Sequence, residues 1–127
     1  MNAPPTLLLV DDEPANIDLL KGVLPADCKF RVAINGEKAL QIAQKTPVPD
    51  LVFLDVMMPG MDGYEVCRRL KADPATAGIP VVFLSGHTDE TERQKGLALG
   101  AADFLSKPID PERVNAALRR VTGGQVC

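Results

Sequence analysis

Three aspartates, a serine and a lysine stand where short apolar runs end. Asp11 and Asp12 follow Leu7-Leu8-Leu9-Val10, with Glu13 behind them. Asp55 closes the run Leu51-Val52-Phe53-Leu54, Ser85 closes Val81-Val82-Phe83-Leu84, and Lys107-Pro108 comes just after Phe104-Leu105. Three carboxylates brought together repel, so one of them holds a proton or the group recruits a cation. Oxygen ligands with some water suit Mg²⁺, which takes one or two protein carboxylates plus phosphate oxygens. A lysine adds a positive point charge and a serine adds a donor. Such a set stabilises a phosphoryl group in flight. The carboxylate can itself be the nucleophile, giving an aspartyl-phosphate. Taken singly, each residue has a plainer reading. An Asp after a strand is usually a turn or helix cap, Ser85-Gly86 is a turn, and Lys-Pro is an exposed loop. The chemical reading gains its weight from all of them meeting at one edge, in this order.

The elements that must bring them there read as β-α five times. Thr6–Val10, Asp50–Leu54, Pro80–Leu84 and Ala102–Leu105 read as strands, and three of these are continuous apolar runs of the kind covered on both faces in a parallel sheet. Lys29–Ile34 alternates and belongs nearer an edge. Pro14 opens a helix with Ile17, Leu20, Val23 and Leu24 inward. Glu37–Lys45 carries Ala39, Leu40, Ile42 and Ala43. Asp62 caps a helix running through Lys71, with Val66, Cys67 and Leu70 inward. Asp89–Leu99 and Pro111–Val121 complete the set. Asp110 is the N-cap of the last, whose stripe is Val114, Ala117, Leu118 and Val121. Gly22, Gly100 and Gly123-Gly124 fall near helix ends or turns. Alternating β and α predicts a doubly wound parallel sheet with helices on both faces, whose ligands bind at the carboxyl ends of the strands.

Composition narrows the field. The chain has 127 residues, and 14 Lys and Arg against 17 Asp and Glu give −3. That length is one domain, with a core that needs no disulfide or structural metal. Hydrophobic residues at 46% and charged residues at 24% argue against disorder. Mild acidity without a basic block, no Trp and only 4% aromatics disfavour direct nucleic-acid binding. There is no signal peptide and no run of about 20 apolar residues, so no membrane contact is expected. Cys28, Cys67 and Cys127 are odd in number and widely spaced, which excludes a complete disulfide framework and points to reduced thiols in the cytoplasm. Gly-x-Gly-x-x-Gly, Gly-x-x-x-x-Gly-Lys-Ser/Thr and Gly-x-Ser-x-Gly are all absent. Dinucleotide, phosphate-loop and hydrolase-elbow chemistries therefore fail on residues.

The chain resembles the receiver domain of two-component response regulators, a CheY-like family, from about Thr6 to Val121. The resemblance rests on LLLVDDEP at 7–14, PDLVFLDVMMPGMDGYEVCRRL at 49–70, PVVFLSG at 80–86 and GAADFLSKP at 100–108. It implies a flavodoxin-like (βα)5 fold with strand order 2-1-3-4-5. Asp55 would be the phosphoacceptor. Asp12 and Asp55 would hold Mg²⁺ (or Mn²⁺ as a substitute), joined by the backbone carbonyl of Met57 and, through water, by Asp11. Lys107 would contact the phosphoryl group, Ser85 would move to bond it, and Phe104 would turn inward as Ser85 vacates space, although on its apolar strand Phe104 equally reads as plain core. Lys107-Pro108 would be cis. Ser85 stands where the family more often has Thr, and Gly86 where Ala is usual. Met57 and His87 occupy positions that tune dephosphorylation, although His87 also reads as a solvated loop residue.

The resemblance further implies a signalling phosphoacceptor with no enzymatic activity beyond self-phosphorylation and autodephosphorylation. The donor is a sensor histidine kinase or phosphotransfer protein. The target is an output domain or partner protein, and phosphorylation can drive homodimerisation through the face of helices 89–99 and 111–121. Residues 1–127 are one receiver domain, with 122–127 a tail or the start of a linker. Two alternatives stand beside this reading. A phosphohydrolase working through an aspartyl-phosphate needs a second Asp two residues after the nucleophile, where this chain has Met57. A pseudo-receiver binding module would dispense with phosphorylation, yet every key residue is present.

Overall fold

The computed structural model describes residues 4–86 and 89–123. Strands and helices alternate throughout: β1 (Thr6–Val10), α1 (Pro14–Val23), β2 (Lys29–Ala33), α2 (Gly36–Ala43), β3 (Leu51–Asp55), α3 (Gly63–Ala72), β4 (Val81–Ser85), α4 (Glu90–Ala98), β5 (Asp103–Ser106) and α5 (Pro111–Val121). The sheet is parallel, in the order β2-β1-β3-β4-β5. The doubly wound, flavodoxin-like architecture expected from the alternation is the one found. β1, β3 and β4 are buried at every position, as their unbroken apolar runs require. β2 lies at an edge, and its mixed sequence leaves Lys29 and Val32 exposed.

Because neighbouring side chains on a strand point to opposite faces, the sheet feeds two cores. Leu8, Val10, Val52, Leu54, Val81 and Phe83 pack toward α2 and α3, against Ala39, Val66 and Leu70. Leu7, Leu9, Phe53, Val82 and Leu84 pack toward α1 and α5, against Ile17, Leu20, Val114 and Leu118. Helix starts follow the sequence signals. Asp62 accepts from the Glu65 amide and Asp110 from the Glu112 amide, while Pro14 and Pro111 occupy first turns. Asn35 and Asp89 cap α2 and α4 in the same way.

Boundaries shift by a residue or two for a physical reason. Asp50, Pro80 and Ala102 fall just before β3, β4 and β5, whereas the polar residues Asp55, Ser85 and Ser106 are inside them. Hydrophobicity stops at a polar side chain, but the backbone ladder does not. Ile34 lies beyond β2 and is exposed, and α2 ends at Ala43, short of Lys45. Gly22 is the penultimate residue of α1, near the helix end as expected. Cys67 is a free, buried thiol, but Cys28 is disulfide-bonded, so the expectation of reduced thiols fails there. An odd cysteine count excludes a complete framework, not a single bond. His87 and residues 124–127, including Gly124 and Cys127, lie outside the described residues.

Candidate functional site

Parallel strands deliver their carboxyl ends to one rim, and the acidic residues meet there. β1 hands over Asp11 and Asp12, β3 ends on Asp55, and Lys107 follows β5. The Asp11 amide donates to Ala33 O at 3.1 Å, which ties this turn to the end of β2. Asp11 Oδ1 accepts from the Glu13 amide at 2.9 Å, fixing its carboxylate. Lys107 Nζ then bridges two acids, at 3.0 Å from Asp55 Oδ1 and 3.1 Å from Asp11 Oδ2. Both carboxylates are almost wholly buried.

Burial sets the electrostatics. It pushes the Asp55 carboxyl up from 3.8 to about 6, with the Asp11 and Asp12 charges adding to the rise and Lys107 opposing it. On Lys107, burial works to lower the pKa, but the bonds to Asp55 and Asp11 outweigh it and the net shift is upward. The lysine is therefore a fixed cation and Asp55 an anion at neutral pH, held at a cost. Carboxylate oxygens of Asp11, Asp12 and Asp55 lie within 4.8 Å of one another, a hard all-oxygen donor set that fits a divalent cation.

The loop after β3 is shaped by two glycines in different ways. Gly60 has φ +75°, which suits a residue without a side chain. Gly63 has ordinary φ but no room. A Cβ there would lie 2.1 Å from Asp55 O, and its amide donates to Val56 O at 2.8 Å. Gly60 thus serves the turn through its φ, and Gly63 serves it through close approach. The Met57 side chain is exposed beside the pocket. Lys107-Pro108 is cis, as the resemblance implied, and Thr46-Pro47 is a second cis bond that the sequence did not suggest.

Ser85 is buried at the end of β4 and pairs in register with Ser106, while Phe83 pairs with Phe104. The Phe104 ring is buried and tilted against Phe83, with centroids 5.7 Å apart. Phe83 in turn meets Tyr64 edge-on at 5.3 Å. Tyr64 Oη is 3.3 Å from both the Glu92 carbonyl and Glu92 Oε2, and burial beside that acid pushes the phenol up to about 12. Lys95 Nζ stands 4.4 Å from the centre of the Tyr64 ring, and Arg93 Nη1 donates to Phe104 O at 3.2 Å. Sequence reasoning reached Phe104 but missed Tyr64, Glu92, Arg93 and Lys95. The one available signal was Tyr64 itself, the chain's single tyrosine, opening α3 just past the Asp55 loop.

A parallel sheet of order 2-1-3-4-5 with an acidic cluster and a lysine at its carboxyl rim defines a flavodoxin-like phosphotransfer class. The family model for the response regulator receiver domain matches residues 7–119, and the chain belongs to that family. It is 46% identical over 117 residues to response regulator PleD of Caulobacter vibrioides, covering 91% of this chain and 26% of PleD. It is 42% identical over 104 residues to a probable cyclic di-GMP phosphodiesterase of Vibrio cholerae, covering 82% and 23%. It is 40% identical over 121 residues to the DNA-binding dual master transcriptional regulator RpaA of Synechocystis, covering 91% and 50%. A solved putative response regulator from Chloroflexus aurantiacus superposes with a TM-score of 0.88 at 36% identity, covering 94% of this chain and 98% of that one. The chain thus spans between about a quarter and a half of these three curated relatives. The name of RpaA includes DNA binding, so the expectation of no nucleic-acid contact does not extend to such relatives as wholes. Among the described residues no helix is long and apolar enough to cross a membrane.

Proposed function

We propose that Asp55 is the phosphoacceptor of this receiver domain and that Lys107, Ser85 and a divalent cation serve it. The single observation that carries this reading is the Lys107 bridge. One ammonium is hydrogen-bonded to Asp55 and Asp11, the two buried members of a cluster of three acids, and Asp55 is the one that ends the central strand β3. An Asp55 carboxylate oxygen attacks the phosphorus of a phosphohistidine. The P–N bond breaks, the imidazole leaves with its electron pair, and an acyl phosphate forms. A water later attacks that phosphorus, and Asp55 departs as the free carboxylate. Lys107 neutralises the charge that gathers on the phosphoryl oxygens.

Mg²⁺, with Mn²⁺ as a substitute, is the cation this oxygen set suits. Asp12 and Asp55 would hold it, with the Met57 carbonyl, and Asp11 through water. When bound, it supplies positive charge to the transferring group. Ser85, buried at the end of β4, is the hydroxyl that takes a phosphoryl oxygen. The donor is a sensor histidine kinase or phosphotransfer protein, and the reader is an output domain or partner protein. The relatives' names include both a phosphodiesterase and a DNA-binding regulator, so the output is not set by the receiver. The functional unit runs to Val121, with 122–127 a tail or the start of a linker, and its activity is confined to self-phosphorylation and autodephosphorylation. Incubation with acetyl phosphate and Mg²⁺ tests the reading by intact mass. The wild-type chain gains one acid-labile phosphate and Asp55→Asn gains none. Equal labelling of the two would remove Asp55 from the role.

A further inference from the structure

Gly96 sits inside the last turn of α4, three residues before the C-cap Leu99, where a helical glycine is still less favourable than alanine, so its presence there calls for a reason. The reason lies in β5 and β4. A Cβ on Gly96 would fall 2.8 Å from Phe104 Cδ2, 3.0 Å from Phe83 Cδ2 and 3.1 Å from Phe104 Cε2. These are ring atoms wedged between the helix and the sheet, not the free ends of flexible chains. Gly96 is also the only residue of α4 that is buried. The helix carries no apolar stripe that could position it over the sheet by burial alone.

We propose that Gly96 is a positioning residue for phosphotransfer at Asp55: its missing Cβ is the seat that holds the Phe104 ring inward. The inference rests on the phosphoacceptor reading above. Phe83, Phe104, Ser85 and Ser106 share one face of the sheet, because the first two pair with each other and so do the last two. The ring therefore occupies the same side of β4 and β5 as the hydroxyl that must engage the phosphoryl group. Where an inward ring and an engaged Ser85 favour each other, whatever seats the ring also favours the phosphorylated form. Arg93 holds the backbone at the same point through Phe104 O, and Lys95 and Glu92 hold Tyr64 at the outer end of the aromatic row. Three side chains of α4 and one absent side chain thus converge on a single aromatic row.

The test measures binding of beryllofluoride with Mg²⁺, a phosphoryl mimic, to the folded protein by NMR titration. Four chains are compared: wild type, Gly96→Ala, Phe104→Ala and the double variant. Gly96→Ala is expected to weaken binding at least about five-fold, the lower end of what one overpacked methyl costs when it falls on a single state. In the Phe104→Ala background the same change is expected to have much less effect, because the ring it strikes first is gone and Phe83, the other ring it meets, can give into the space left. A merely structural role for Gly96 lowers thermal stability without this dependence on Phe104. Wild-type affinity in Gly96→Ala overturns the proposal, and so does equal weakening in both backgrounds. If Gly96→Ala alone does not fold, the double variant decides: it must fold and bind like Phe104→Ala, and its failure overturns the proposal. A wild-type chain that neither binds the mimic nor takes phosphate overturns the phosphoacceptor reading instead.

Discussion

α4 and α5 flank the same edge of the sheet and are held to it by opposite means. α5 buries Val114, Ala117 and Leu118 as one stripe, capped by Asp110 at its start and tied to α1 through Asn115 Nδ2 on Val23 O at 2.7 Å. α4 buries only Gly96 and is fastened by polar contacts to Tyr64 and to the Phe104 backbone. Apolar burial is non-directional and grows with area, so α5 is anchored along its length. Hydrogen bonds to an aromatic row are local and directional, so α4 can shift when the row or its neighbour Ser85 shifts. If Asp55 takes a phosphoryl group as proposed, the element held by contacts of modest strength is the one best placed to respond to the new charge.

The difference in anchoring shows most plainly in what each helix loses with one leucine. Leu118→Ala is expected to destabilise the fold by about 2–5 kcal/mol, the usual range for a fully buried leucine. Leu97→Ala, on the half-buried flank of α4, should cost less than about 1 kcal/mol. Urea unfolding of both variants measures the difference, and similar losses would contradict it.

The pocket offers the next largest effect and carries a sign. Folded Asp55 binds its proton near pH 6 against 3.8 ordinarily. The folded state therefore holds the proton more tightly than the unfolded chain. The contribution of this group to stability is complete below about pH 3.8 and is lost as pH rises through about 6. Asp55→Asn escapes that loss, so without added metal it should exceed wild type by on the order of 1 kcal/mol at pH 7. Thermal melts across this range should show the advantage close as pH falls toward 4. A constant advantage would mean that the Asp55 charge is not what costs stability. The smallest effect falls on α4. Tyr64→Phe removes the bonds to Glu92 and should cost about 0.5–1.5 kcal/mol, with faster amide exchange confined to α4 and the start of α3.

Most of the fold was legible because each signal had one physical source. Thr6–Val10 and Pro111–Val121 agree with the structure to the residue, one as an unbroken apolar run and the other as a capped apolar stripe. The site residues were legible as strand-end polar groups, since a parallel sheet gathers such ends at one rim. What stayed hidden was steric. A one-letter glycine does not say whether it serves positive φ, as at Gly60, or close approach, as at Gly63 and Gly96. The anchoring of α4 was equally hidden, because it depends on Tyr64, Phe83 and Phe104, which meet only in three dimensions. The Cys28 disulfide was beyond the reach of cysteine counting.

With Asp55 as the proposed phosphoacceptor, charge placed on it is expected to be read by α4 while α5 stays as it is. Amide hydrogen exchange with and without beryllofluoride and Mg²⁺ tests it most directly, with Asp55→Asn as control. In the wild-type chain, protection should change across Glu90–Ala98 and at Phe104 and remain the same within Val114–Leu118. In the control nothing should change. Equal changes in both helices, or an unaltered α4 in a chain that has bound the mimic, would contradict the account.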